Sequence, residues 1–326
     1  MLQLPKLSSN VLKELKKGKN LLAFSAGSDS SALFFILKAL HVEFDIAIVN
    51  YQSREQSYDE ELYAKTLANE FEKECYIFTC KLEKNNFEHN ARLKRYDFFE
   101  KIIKEHAYDN LLTAHHLNDK LEWFLMQLSK GAGAVELSGM EEIESSENYK
   151  TLRPLLHVNK NEIENFLHVN KIKHFLDSSN SDKKYFRNQI REEFANSFCT
   201  QFSSGIKKSF EYLSEDKKRL LPQILTQNKK LFILKRDSDD LINIRGIDKV
   251  VKKLGVLLSS HSRDEIIRTK DCIVSSKVAI VFREDNIYIC PAINIKMDKK
   301  FKEACRVAKI PAKIRPYMYK ENISIL

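Results

Sequence analysis

The stretch Asn20–Leu40, NLLAFSAGSDSSALFFILKAL, constrains the fold of this chain more than any other. Asn20–Phe24 is a short apolar run that reads as a buried parallel strand, Ser25–Ser31 is small and polar, and Ala32–Leu40 is apolar at helical spacing. A strand that turns through small residues into a helix exposes backbone N–H groups at the positive end of the helix dipole, where an anion is stabilised. Ser25, Ser28, Ser30 and Ser31 can add hydroxyl donors around it. Asp29 is the odd member, because a carboxylate beside phosphate oxygens is repulsive unless a cation lies between them. It therefore points to Mg²⁺ on a nucleotide, with Asp29 as metal ligand. The same residues also suit an ordinary Ser-capped helix after a strand.

Strands are expected at Phe44–Asn50, Cys75–Cys80 and Asn110–Ala114, alternating with helices at Tyr58–Phe71 and Glu88–His106. Such alternation predicts a doubly wound α/β domain with a mainly parallel sheet, whose ligands sit beyond the carboxyl ends of the strands. Ser25, Asn50 and Ala114 all lead to that edge.

Two further segments carry chemistry. Arg92, Arg95 and Tyr96 share one face of the helix at 88–106, and two guanidiniums at that spacing can grip phosphate, although a solvated basic face would look the same. His115, Asp119 and Glu122 fall on one face at the start of a helix, where they can hold a metal or an ammonium group, or simply complement the helix dipole. Gly131, Gly133 and Gly139 follow in a loop able to approach a ligand closely.

SAGSDS (Ser25–Ser30) resembles the SGGxDS loop of the PP-loop ATP pyrophosphatases, with Ala26 where that superfamily usually has its second glycine. The extra methyl group is tolerable only if residue 26 keeps φ below zero. HHLNDKLEWFLMQLSKGAGAVELSGM (His115–Met140) is similar to the HHxxDxxET…RGxGxxGLxxM segment of the tRNA(Ile)-lysidine synthetases, and ARLKRYDFF (Ala91–Phe99) to their RxxRYxFF helix. LRPLL (Leu152–Leu156), LDSSN (Leu176–Asn180) and YFRNQIR (Tyr185–Arg191) resemble their RPLL, DxSN and RNxxR elements, in the same order. Tyr51 departs from the usual histidine of VNHxxR, Trp123 from threonine, and Lys130 from arginine.

The resemblance implies a PP-loop fold, adenine nucleotide α-hydrolase-like, over residues 1–200. It places ATP on Ser25, Ala26, Gly27, Ser28, Asp29, Ser30 and Arg95, and lysine on His115, Asp119 and Glu122. Asp29, Arg95 and Asp119 would be catalytic, and Arg92, Arg187, Asn188 and Arg191 would touch tRNA or ATP. The implied partners are a CAU-anticodon tRNA(Ile) and free L-lysine, joined as lysidine through an adenylated tRNA, with Mg²⁺ on the ATP. A tRNA thiolase of the same superfamily is the enzymatic alternative, against which the lack of a CxxC pair among six cysteines counts. A non-catalytic RNA-binding protein with a decayed nucleotide fold is the other alternative.

Charge separates the two parts of the chain. Residues 1–200 carry 27 basic and 30 acidic side chains, and residues 201–326 carry 27 and 15. The latter are expected to form a smaller, mainly helical, basic tRNA-binding domain. It begins after a polar boundary at Cys199–Gly205, with helices at Ile206–Gln227, Leu241–Leu257 and Arg263–Thr269. A hairpin joins Cys272–Phe282 to Asn286–Cys290. The scattered cysteines and the absence of any run of membrane-spanning length place the chain in the cytoplasm, away from membranes. Its oligomeric state is left open, a homodimer included.

Overall fold

The apolar run Asn20–Ala23 (β1) lies at the centre of a six-stranded sheet in the computed structural model, which describes residues 4–52, 56–82, 86–146, 148–176 and 186–324. Parallel neighbours flank it, β2 (Phe44–Asn50) and β4 (Asn110–Leu112), with Leu22 opposite both Ile46 and Leu112. β3 (Cys75–Thr79) extends the sheet beyond β2. Parallel β6 (Lys150–Leu152) and antiparallel β5 (Ile143–Ser145) extend it beyond β4. In the order β3-β2-β1-β4-β6-β5 the winding reverses between β1 and β4, so the loops leaving these two strands diverge and open a crevice at their carboxyl ends.

Alternation along the strands sends side chains to two cores. Leu22, Ile46 and Ile48 pack beneath α1 (Ser9–Lys17), α2 (Ser28–Ala39), α3 (Gln56–Glu70) and α7 (Lys160–Val169). Leu21, Ala47 and Leu111 pack against Phe99, Ile102 and Ile103 of α4 (Phe87–His106) on the other face. β2, β3, β4, α3 and α4 lie within two residues of the positions expected from the sequence, whereas α2 begins at Ser28, four residues before the expected Ala32.

The chain divides into two compact units, Met1–Ser214 and Glu215–Leu326. The stretch Cys199–Gly205 is not a linker; it lies inside α9 (Asn196–Arg219). Cys199, Ile206 and Phe210 form a buried stripe against Leu117 and Leu121, which keeps the segment helical while its polar residues face water, with one break at Phe202 (φ −127°).

The second unit contains more sheet than expected. The helix anticipated to Gln227 ends at Arg219, Pro222 follows, and Ile224–Asn228 is strand β7. With β8 (Leu231–Lys235), β9 (Asp271–Val274), β10 (Val278–Phe282) and β11 (Asn286–Pro291) it makes an antiparallel sheet in the order β7-β8-β11-β10-β9. The run Cys272–Phe282 is two strands rather than one, broken where Ser275 and Ser276 take positive φ. Helices α10 (Asp240–Lys253) and α11 (Ser260–Thr269) cover one face, and α12 (Lys299–Val307) and α13 (Arg315–Lys320) belong to the other side. Because both faces are buried, β10 is apolar throughout and shows no alternation. Among the described residues no helix is long and apolar enough to cross a membrane.

Candidate active site

A cleft of about 1110 Å³ opens where the loops after β1 and β4 part. On the β1 side, Gly27 caps α2 and the first intrahelical bond runs from Ser31 N–H to the Gly27 carbonyl (3.0 Å), which leaves the preceding N–H groups for an anion. Ser30 ties the loop together: its Oγ accepts from Ser25 N–H (3.2 Å), donates to the Gly27 carbonyl (3.2 Å) and meets Ser25 Oγ at 3.1 Å.

Ala26 contradicts the sequence reading. Its φ is +58°, in the left-handed region that favours glycine, and its methyl group points into the core, fully buried, rather than toward the phosphate position. Packing of the methyl offsets the strain. Ala26→Gly should therefore leave stability within about 1 kcal/mol, since relief of about 1 kcal/mol of strain is balanced by loss of about 0.8 kcal/mol of methyl burial. Ala26→Val should destabilise clearly, because a β-branched residue at positive φ clashes with its own backbone. Thermal denaturation of the two variants checks both expectations.

Asp29 faces the cleft and holds a cation already. Lys160, the first residue of α7, places Nζ 2.6 Å from Asp29 Oδ1 and 2.7 Å from Ser28 Oγ. His116 Nε2 lies 3.8 Å from the other carboxylate oxygen. No local pattern in the sequence singles out Lys160 or His116. Lys160 lies inside the capping box Asn159–Glu162, a signal that marks a helix start and says nothing about where it points.

On the β4 side, α5 (Leu117–Leu128) begins with the Asp119–Glu122 pair. Arg187, on α8 (Phe186–Ile190), donates Nε to Glu122 Oε2 (2.8 Å) and a terminal nitrogen to Asp119 Oδ1 (2.9 Å). Arg191, in a π-helical turn, donates Nε to Glu122 Oε1 (2.6 Å) and lies 3.7 Å from Asp119 Oδ1. Two carboxylates thus face two guanidiniums. Glu122 is 0% exposed and sits behind the arginines, whereas Asp119, Arg187 and Arg191 line the cleft. Burial opposes ionisation of Asp119, but His116, His115 and Arg187 outweigh it and hold the carboxyl below the usual carboxylate range.

Burial pushes the imidazole of His115 down to about 4, against the pull of Asp119. Its Nδ1 is 2.9 Å from Thr113 Oγ1. The ring is neutral near pH 7 and too weak a base to take a proton from an ammonium group, so it serves as a hydrogen-bonding partner. The unfolded chain takes up this proton near 6.5 and the folded chain only near 4, so stability should fall as pH drops between those values. Imidazole NMR shifts followed from pH 8 to pH 3 would locate the His115 midpoint.

Arg92, Arg95 and Tyr96 of α4 line the cleft as expected, and Arg92 stacks 4.7 Å above the Tyr96 ring. Among the described residues neither arginine is within ion-pair distance of a carboxylate. Tyr51 anchors this helix by donating its hydroxyl to the Ala91 carbonyl (2.8 Å). Asn188 is buried and does not line the cleft. The element Asp177–Asn180 and Tyr185 lie outside the described residues.

The chain matches the family model of the PP-loop domain over residues 3–198. It is 46% identical to a tRNA(Ile)-lysidine synthase of Campylobacter jejuni, over 98% of each chain. A tRNA(Ile)-lysidine synthase of Helicobacter pylori is 40% identical, over 95% of this chain and 92% of that one. The chain belongs to the tRNA(Ile)-lysidine synthase family. A solved U34-tRNA thiolase from Methanococcus maripaludis with its [4Fe-4S] cluster has a similar fold, at TM-score 0.51 and 15% identity over 78% of this chain and 86% of that one. Within the lysidine synthase family frame, the departure at residue 123 has a visible setting. Trp123, the only tryptophan, lies against Gly139 (φ +62°), where a β-carbon would stand 2.7 Å from its ring.

Proposed function

We propose that the protein is an ATP-dependent ligase that joins free L-lysine to C2 of the wobble cytidine in a CAU-anticodon tRNA(Ile). The observation that carries this reading is the convergence of a PP-loop and the Asp119–Glu122–Arg187–Arg191 cluster on one cleft, in a chain of this family. In the first step the cytosine C2 oxygen attacks the α-phosphate of ATP and pyrophosphate leaves. In the second the ε-amine of lysine attacks C2, the C2–O bond breaks and AMP leaves with that oxygen.

The residues divide this work. The N–H groups opening α2, the serine hydroxyls and Arg95 receive the phosphates and offset the charge that grows on the leaving pyrophosphate. Asp29 fits Mg²⁺, because a single carboxylate plus substrate phosphates is a donor set that ion accepts, and the ion would supply charge neutralisation there. Free lysine carries one carboxylate and two ammonium groups. The alternating guanidiniums and carboxylates match it, Arg187 and Arg191 toward its carboxylate and Asp119 toward ammonium, with the buried Glu122 behind the two arginines holding them in place. The lowered pKa of Asp119 makes it an ammonium partner rather than a strong base.

Residues 215–326, with 25 basic and 14 acidic side chains, supply the cationic surface for the RNA polyanion. Lys296, Lys299, Lys300, Lys302 and Lys309, in and beside α12, are exposed and lie outside ion-pair distance of any described carboxylate. The reaction belongs in the cytoplasm, where its substrates are. The test is incubation with ATP, labelled lysine and candidate tRNAs: label should enter only tRNA(Ile) bearing CAU, and its absence from every tRNA would overturn the reading.

A further inference from the structure

The contact between Lys160 and Asp29 resolves a difficulty in the phosphate loop. An anion received by the N–H groups at the start of α2 lies beside the carboxylate of Asp29, the second residue of the same helix, and the two repel. Before any nucleotide or metal arrives, the carboxylate also needs a counter-charge. We infer that Lys160 is that resident counter-cation: it neutralises Asp29 in the nucleotide-free protein and turns to the triphosphate of ATP when a divalent ion takes over Asp29. Metal binding then depends on nucleotide binding, and the two enter together.

Three observations support this. First, Nζ donates both to Asp29 Oδ1 (2.6 Å) and to Ser28 Oγ (2.7 Å), so the ammonium already adjoins an atom that faces the phosphate position. Since Ser28 accepts from Lys160, its own hydroxyl proton is free to point at an anion. Secondly, the lysine backbone is fixed by the turn that carries Asp119. Lys160 N–H donates to Asn118 Oδ1 (3.1 Å), Asn118 Nδ2 donates to Asn196 Oδ1 (3.0 Å), and Leu117 N–H donates to the Val158 carbonyl (2.9 Å). The backbone is rigid while the four-carbon stem can swing, which suits a charge passed between two nearby acceptors. Thirdly, the side chains of Lys160 and Asp29 are 23% and 34% exposed, open enough for the pair to part without burying a lone charge.

The inference rests on reading Ser25–Ser30 as an ATP site, and it is tested without tRNA or lysine, so failure of lysidine formation would leave it standing. Mn²⁺ serves as the metal probe, followed by electron paramagnetic resonance on nucleotide-free protein, with Asp29→Asn as baseline. Wild-type protein should bind Mn²⁺ at Asp29 weakly. Lys160→Met should bind it about ten-fold more tightly, because the carboxylate is uncovered, while losing about ten-fold or more in ATP affinity by calorimetry. Lys160→Arg should recover most of the ATP affinity. An unchanged ATP affinity in the folded methionine variant, or Mn²⁺ binding no tighter than wild type, would reduce the contact to a surface ion pair and overturn the inference. Should that variant not fold, Lys160→Gln carries the same two expectations and the same two refutations.

Discussion

Asp29→Asn should lower pyrophosphate release by about a hundred- to a thousand-fold, while the protein still folds. The amide keeps the size of the side chain but loses the charge that Mg²⁺ requires, and removing one preorganised electrostatic stabiliser typically costs about a hundred- to a thousand-fold in rate. The effect on folding is small by comparison. The Asp29–Lys160 pair is partly exposed, and such pairs contribute about 1 kcal/mol or less. That corresponds to a fall in melting temperature of about 2–4 °C for a domain of this size. A pyrophosphate-release assay beside a thermal melt separates the two quantities. Release near the wild-type rate would remove Asp29 from the metal site.

The second large effect is expected at Glu122, where structure changes the emphasis. From spacing alone, Glu122→Gln would weaken lysine binding and spare adenylation. In the folded protein Glu122 is fully buried between two guanidiniums, so neutralising it strands part of their charge. Breaking such a pair costs about 3–5 kcal/mol of stability. Lysine affinity should fall by the equivalent of about 2–5 kcal/mol, roughly thirty-fold to several thousand-fold. Below its reduced melting temperature the variant should still release pyrophosphate on tRNA in the absence of lysine. If that release stops in the folded variant while any residual activity keeps its normal lysine dependence, Glu122 serves the ATP step instead. Asp119→Asn is the milder comparison, because Asp119 lines the cleft and one of its oxygens also caps α5 by accepting from His116 N–H at 3.0 Å.

The sequence revealed the first unit well because its signals are local. Strand, small-residue turn and helix follow one another in Asn20–Leu40, and Arg92, Arg95, His115 and Asp119 all line the cleft they were expected to share. Lys160 was illegible for the opposite reason: its contact with Asp29 spans 131 residues, and nothing in the run around it distinguishes a lysine that reaches a phosphate loop from one in solvent. The RNxxR pattern advertises the charge of Arg187 and Arg191 but not their pairing with Asp119 and Glu122. Ala26 failed because a methyl group near a phosphate looks like an obstruction until the backbone shows it pointing inward. In the second unit, buried strands without alternation and two serines at positive φ erased the period that separates strand from strand.

Trp123 sits on the same helix as Glu122, one residue further on, with its indole pressed over Gly139 and 44% of the residue open to water. As the sole tryptophan it makes the chain its own optical reporter. Indole emission depends on solvent polarity, so a shift of the Gly131–Gly139 loop against that ring would change the colour and intensity of the whole protein's ultraviolet fluorescence. Any ligand that moves this loop can then be timed in a stopped-flow instrument on unlabelled protein, with no background from a second indole.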